Sequence, residues 1–132
     1  MIKPVEIYVR FADLDLMGHV NNSVYLSYFE VARVHYFSEL LGVDWDWNEK
    51  GILLVRNEID YIKPVLLHDK PSITIFTEKI GTKSFVLGYE LTVNGELYTK
   101  GFSTLVCFNK SKNETVKVSG EIHESLLKLI RE

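Results

Sequence analysis

Two carboxylates, an imidazole and two amides stand within ten residues of one another: Asp13, Asp15, His19, Asn21 and Asn22, with Gly18 among them. The pattern that follows, from Ser23 on, reads as a helix, so these groups sit just ahead of unpaired backbone N–H donors at the positive end of a helix dipole. Such donors stabilise an oxyanion, and a carboxylate held a few residues upstream can serve as base or nucleophile at the same spot. Acyl transfer or hydrolysis is the chemistry this suggests. Asp, Asn and Gly are also what ordinary turns and caps use, and local composition alone does not separate the two. Asp13-x-Asp15-x-x-Gly18 begins like a calcium loop, yet its fifth position is Met17 and its twelfth Val24, neither an oxygen ligand. His35, His68 and His123 fall in unrelated segments, which leaves a zinc site without suitably spaced partners. Cys107, inside a strand pattern, reads as a core residue.

The loop must be held by its neighbours. Val5, Ile7, Val9 and Phe11 alternate with polar or half-polar residues, the pattern of a first strand with one face buried. Ser23 to Leu41 follows as a helix, with Asn21, Asn22 or Ser23 as N-cap and Gly42 to end it. Apolar residues surround most of its circumference, leaving a thin polar line through Ser27, Glu30, Arg33 and Ser38, so other structure is expected to enclose it almost completely. Extended segments follow at about 52–63, 72–80, 84–93 and 96–108, with Asn94-Gly95 as a hairpin turn. A short strand near 115–118 and a helix from about Ser119 to Arg131 finish the chain. The order β-α-β-β-β-β-α predicts an α+β fold, a curved antiparallel sheet of about five strands wrapped around the long helix. A phosphate-binding glycine loop after a strand is absent, so nucleotide-binding α/β folds fit poorly.

With 132 residues the chain is expected to form one domain, 1–132, and 46% hydrophobic residues suffice for a core. A net charge of -3, from 15 basic against 18 acidic residues, offers no field for a polyanion, so nucleic acid is not an expected partner. The apolar runs are far shorter than the roughly 20 residues a membrane helix needs, so no membrane span is expected. A single cysteine and no basic start followed by an apolar run point to a soluble protein of the reducing cytoplasm.

The run Asp13-Leu-Asp15-Leu-Met-Gly18-His19-Val-Asn21-Asn22, followed by Tyr25, Glu30 and Ala32-Arg33, resembles the signature of hotdog-fold acyl-CoA thioesterases of the 4-hydroxybenzoyl-CoA thioesterase type. Tyr61-x-Lys63-Pro64, Asp69, Gly81-Thr-Lys83-Ser84-Phe85 and Gly101 ahead of Val106-Cys107-Phe108 extend the resemblance over nearly the whole chain. It implies hydrolysis of a coenzyme A thioester without metal or bound cofactor, in a homodimer or homotetramer. Asp15 corresponds to the catalytic carboxylate and the backbone N–H of Asn22 to the group that polarises the thioester carbonyl. His19 is a candidate to position the water, packing and capping being the alternative. Lys83 and Ser84 correspond to residues that hold the nucleotide end of coenzyme A, and Tyr25 and Glu30 are carried over as substrate-binding. Some relatives have a tyrosine four residues before the catalytic Asp and a histidine or tyrosine at the helix start; Phe11 and Asn22 stand there here, so those side-chain roles are lost or altered. Gly-His-Val-Asn-Asn is nearer the branch that handles fatty acyl chains than the aroyl branch.

The expected mechanism has Asp15, ionised and partly desolvated at the mouth of an apolar tunnel, attack the thioester or activate water while the Asn22 amide steadies the oxyanion. Acyl-carrier-protein esters, or non-catalytic binding of acyl thioesters, are the alternatives. Hotdog dehydratases resemble a different signature, with Asp and His five apart, whereas Asp15 and His19 are four apart. Because the helix takes up most of the interior of so short a chain, the tunnel is expected between subunits.

Overall fold

A computed structural model describes residues 2–131; the outermost positions of the expected domain, 1 and 132, lie outside it. The elements are β1 (Val5–Glu6), a 3-10 turn (Phe11–Asp13), α1 (Val24–Leu41), β2 (Gly51–Tyr61), β3 (Ser72–Ile80), β4 (Ser84–Val93), β5 (Glu96–Asn109), β6 (Glu114–Val116) and α2 (Gly120–Lys128). One sheet takes the order β1-β3-β4-β5-β2, with β6 added on β5, which is the expected five strands and a short sixth. No helix among the described residues is long and apolar enough to cross a membrane.

By its internal contacts the chain forms two compact units. The first holds the chain up to Tyr36 with Ile59–Ile75 and Tyr89–Gly101. Here Phe29 of α1 stacks on Tyr89 of β4, ring centroids 4.2 Å apart and nearly parallel, and Tyr25, Ala32 and Tyr36 are buried on the same side of the helix. Arg33, almost buried, donates to the Tyr89 hydroxyl at 3.0 Å. The β4–β5 turn has Asn94 and Gly95 both at positive φ (49° and 80°), the conformation that matches strand twist and that these two residues tolerate. In the second unit, Phe37–Glu58, Phe76–Gly88 and the chain from Phe102 on, the end of α1 sets Phe37 edge-on to Phe85 and Trp47. There α2 lies on β3, the Thr77 hydroxyl donating to the Leu126 carbonyl at 2.7 Å. Ser119 stands at the N-cap position of α2 in an extended conformation, its side chain making no capping bond among the described residues.

One expectation needs correcting. The first strand is shorter than its alternation predicts. Val5 and Glu6 pair with Ile73 and Ser72, and the Ile7 N–H reaches the Pro71 carbonyl at 2.8 Å, but proline has no N–H to return the bond and the ladder stops. Alternation of burial persists to Val9, while Phe11 turns outward on the 3-10 turn. Along one side of the long helix Leu26, Val31 and Val34 are exposed, uncovered by this chain. β2, last in the sheet order, leaves Leu53, Leu54 and Val55 exposed as well. Sequence periodicity reports which residues are apolar, and it is silent on whether the cover comes from the same chain.

Candidate active site

The loop ahead of α1 closes as a small hairpin. Leu14 and Val20 form an antiparallel bridge, the Asp15 N–H donates to the His19 carbonyl at 2.7 Å, and Gly18, at φ 78°, makes the reversal. Inside it the Asp15 carboxylate folds back on its own turn. Its Oδ1 accepts the N–H of Met17 at 2.9 Å and of His19 at 3.3 Å. Its Oδ2 has no bond among the described residues, and the side chain is exposed, as are Leu16 and Met17 beyond it. The expected partial desolvation is therefore not supplied by this chain, because nothing in the loop's own unit lies over its outer side.

Asp13, two residues earlier, has the opposite fate. It is buried and fully used: Oδ2 accepts the Arg10 N–H (3.0 Å) and the Tyr28 hydroxyl (2.7 Å), while Oδ1 accepts Nε and Nη2 of Arg10 (3.2 and 3.0 Å). Burial alone would raise its pKa, but the Arg10 and Tyr28 hydrogen bonds and the Arg10 charge outweigh it and hold the carboxyl below its ordinary 3.8. The same contact, added to burial, raises the Tyr28 phenol. Asp13 is thus a strut between loop and helix. A carboxyl whose folded pKa is depressed contributes stability that is complete above its unfolded value and disappears as pH falls through the folded one. Urea midpoints measured between about pH 5 and 2 should show wild type losing stability relative to Asp13→Asn in that window, from an advantage of about 1–3 kcal/mol at neutral pH. A constant gap across the window would remove the strut's electrostatic role.

The helix start is ordered by Asn21. Its N–H donates to the Asp13 carbonyl (2.8 Å), its carbonyl accepts the Val24 N–H (2.9 Å), and its Oδ1 takes both the N–H and the hydroxyl of Ser23 (3.0 and 2.9 Å). The N–H and C=O of a trans peptide point in opposite directions. With the Asn21 carbonyl turned toward the helix, the Asn22 N–H must point away from it, and that N–H has no partner among the described residues. The Asn22 side chain is exposed.

A third segment braces the loop. His19 bridges to Leu66, the Val20 N–H reaches the Val65 carbonyl at 2.8 Å, and the Val65 N–H in turn donates to the Tyr25 hydroxyl at 3.3 Å. Asp69 keeps this segment turned by accepting the Leu66 N–H at 2.8 Å. The imidazole of His19 is half-buried and makes no hydrogen bond among the described residues. Tyr25 is buried, its phenol raised chiefly by burial and further by Tyr61 and then Asp15. Asp15, His19, Asn22 and Tyr25 therefore come together in the first unit. Glu30 is on the same helix but exposed, its carboxylate 3.9 Å from Arg33. Lys83 and Ser84 belong to the second unit, at the β3–β4 turn closed by the Gly81 N–H on the Ser84 carbonyl (2.7 Å), with their side chains unbonded among the described residues. Among the described residues no group of three or more His, Cys, Asp or Glu side chains is arranged to hold a metal ion.

Sequence reasoning passed over three of these partners. Tyr28 is counted with the helix core, Arg10 with a strand's polar face, and Tyr61 only as part of a downstream motif, yet the Tyr61 hydroxyl donates to the Asn22 carbonyl at 2.9 Å. The one available signal is a tyrosine hydroxyl at an otherwise apolar position, since a buried phenol needs a partner.

The loop thus carries a carboxylate with one oxygen tied to its own turn and, seven residues on, an N–H without a partner among the described residues, groups that acyl-transfer chemistry can use. A family model described as the thioesterase-like superfamily matches residues 9–126, and the chain belongs to that superfamily. Its fold is the α+β hotdog fold, and it is a thioester hydrolase by class. A solved thioesterase from Thermus thermophilus, complexed with coenzyme A and zinc, is 35% identical, with 96% of this chain and 92% of that one covered and a TM-score of 0.83. The long-chain acyl-CoA thioesterase FadM of Escherichia coli strain K12 is 27% identical over 129 residues, 96% of this chain and 98% of that protein. The 1,4-dihydroxy-2-naphthoyl-CoA hydrolase of Nostoc punctiforme is 24% identical over 120 residues, 77% of this chain and 81% of that protein.

Proposed function

We propose that this protein hydrolyses acyl-CoA thioesters to the free acid and coenzyme A, with Asp15 as the catalytic carboxylate and the Asn22 N–H as oxyanion donor. The observation that carries this reading is that, in one loop, a carboxylate has one oxygen tied to the turn and the other free, and the N–H seven residues on, just ahead of α1, is unengaged among the described residues. Either Oδ2 attacks the thioester carbon, expelling the thiolate and leaving a mixed anhydride for water to open, or it takes a proton from the water that attacks. His19 belongs beside that water. Lys83 and Ser84 are proposed contacts for the phosphate end of the substrate, a cation and a hydroxyl suited to it. Tyr25 and Glu30 complete the proposed substrate side. The free, buried Cys107 fits a reducing compartment such as the cytoplasm.

Release of thiol from acetyl-, hexanoyl-, palmitoyl- and benzoyl-CoA, followed with a colour reagent, tests the reading. Turnover of any of them supports it. Binding without release from these or from acyl-carrier-protein esters would make the protein a binder instead.

The active form is proposed to be a homodimer or a dimer of dimers. Exposed Leu26, Val31 and Val34 on α1, and an edge strand with Leu53, Leu54 and Val55 uncovered, support association, since an open apolar strand edge otherwise invites aggregation. A second subunit would also supply the cover that Asp15 lacks. Sedimentation across a dilution series should show activity falling with dissociation, and a fully active monomer would contradict the proposal.

A further inference from the structure

Asn22 is tethered on both sides of its Cα. Before it, the Asn21–Asn22 peptide is fixed by the Val24 N–H on the Asn21 carbonyl. After it, the Asn22–Ser23 peptide is held at its carbonyl by the Tyr61 hydroxyl (2.9 Å) and at the Ser23 N–H by Asn21 Oδ1 (3.0 Å). Asn22 and Ser23 precede the first residue of α1, so these peptides lack the ladder that orders a helix interior. Tyr61 itself is well placed to hold them. It is the last residue of β2, its ring stands edge-on to Tyr25 with centroids 5.0 Å apart, and the next two N–H groups, of Ile62 and Lys63, both donate to the Tyr98 carbonyl. The phenol therefore comes from a strand end braced by the sheet and by a buried helix residue.

We propose that Tyr61 is a positioning residue for thioester hydrolysis: by donating to the Asn22 carbonyl it completes, with the Asn21 side chain on the Ser23 N–H, the hold on the rotation of the Asn22 backbone and so keeps the Asn22 N–H aimed at the developing oxyanion. The inference rests on the reading of that N–H as oxyanion donor. Donors help only when aimed beforehand at where charge will appear, and small misplacements are costly in rate. Partial burial raises the Tyr61 phenol above its ordinary value, so it stays a donor through neutral pH. The ground state needs no such precision, because Asn22 is exposed and water can replace the phenol on its carbonyl. The hydroxyl should thus matter to kcat and little to KM or to stability.

Tyr61→Phe keeps the ring against Tyr25 and removes only the donor. With hexanoyl-CoA and palmitoyl-CoA, kcat should fall about tenfold, while KM stays within about twofold, the melting temperature within about 2 °C and the pH profile keeps its shape. An unchanged kcat, or losses of kcat, KM and melting temperature together, would overturn the positioning role. Asp15→Asn and Asn22→Pro assayed alongside separate the two levels. If either is fully active the underlying site reading fails, whereas if both are crippled and Tyr61→Phe is unaltered only the inference about Tyr61 fails.

Discussion

Asp15→Asn should lower kcat/KM for acyl-CoA hydrolysis at least about a thousandfold and leave the fold intact, the scale expected when a nucleophile or general base is lost. The amide keeps an oxygen to accept the Met17 and His19 N–H groups, so the hairpin from Leu14 to Val20 retains its internal bonds. What disappears is the negative charge and basicity of Oδ2, the atom left free. Melting curves should superimpose on those of wild type because the side chain is exposed. Near-full activity toward several acyl-CoAs would remove Asp15 from the mechanism in both its forms. Label found in the Asp15 carboxylate after a single turnover in ¹⁸O water identifies attack by Oδ2, with water opening the mixed anhydride at the Asp15 carbonyl; opening at the acyl carbonyl, like general-base hydrolysis, places the label in the product acid.

The second large effect is expected from the backbone. Asn22→Pro deletes an N–H that makes no hydrogen bond among the described residues, so no structural bond is lost, and proline is well tolerated at the start of a helix. If that N–H steadies the oxyanion, kcat should drop by about 10²–10³, the range for loss of one such donor. Asn22→Ala is the companion variant, and it should lose far less, since it removes an exposed amide side chain and retains the backbone donor. Equal losses in both variants, at matched melting temperatures, would shift the role from the backbone to the side chain.

Much of the fold can be read along the chain because its signals are local. The helix over 23–41 and the segments at 72–80 and 84–93 follow from periodicities of a few residues, and they agree with α1, β3 and β4. Asn94-Gly95 marks its hairpin because the preference for positive φ belongs to those two residues themselves. The first strand fails at a different point: its end is decided by Pro71, a residue beside the partner strand. Likewise the apolar girth of α1 is plain in the sequence, but which side faces its own sheet and which stays open depends on where the strands lie.

The site divides along the same line. Sequence alone determined that carboxylates, amides and a helix start share one short loop, since all are neighbours in the chain. The resemblance picks out Asp15 of the two aspartates, and the tertiary structure gives the physical difference between them. Asp13 is consumed by Tyr28, 15 residues away, which leaves Asp15 free. Only the tertiary structure decided that the Asn22 carbonyl is held by Tyr61, 39 residues away. A charge becomes a strut or a reagent according to whether distant groups satisfy it, and that satisfaction exists only after the chain has folded.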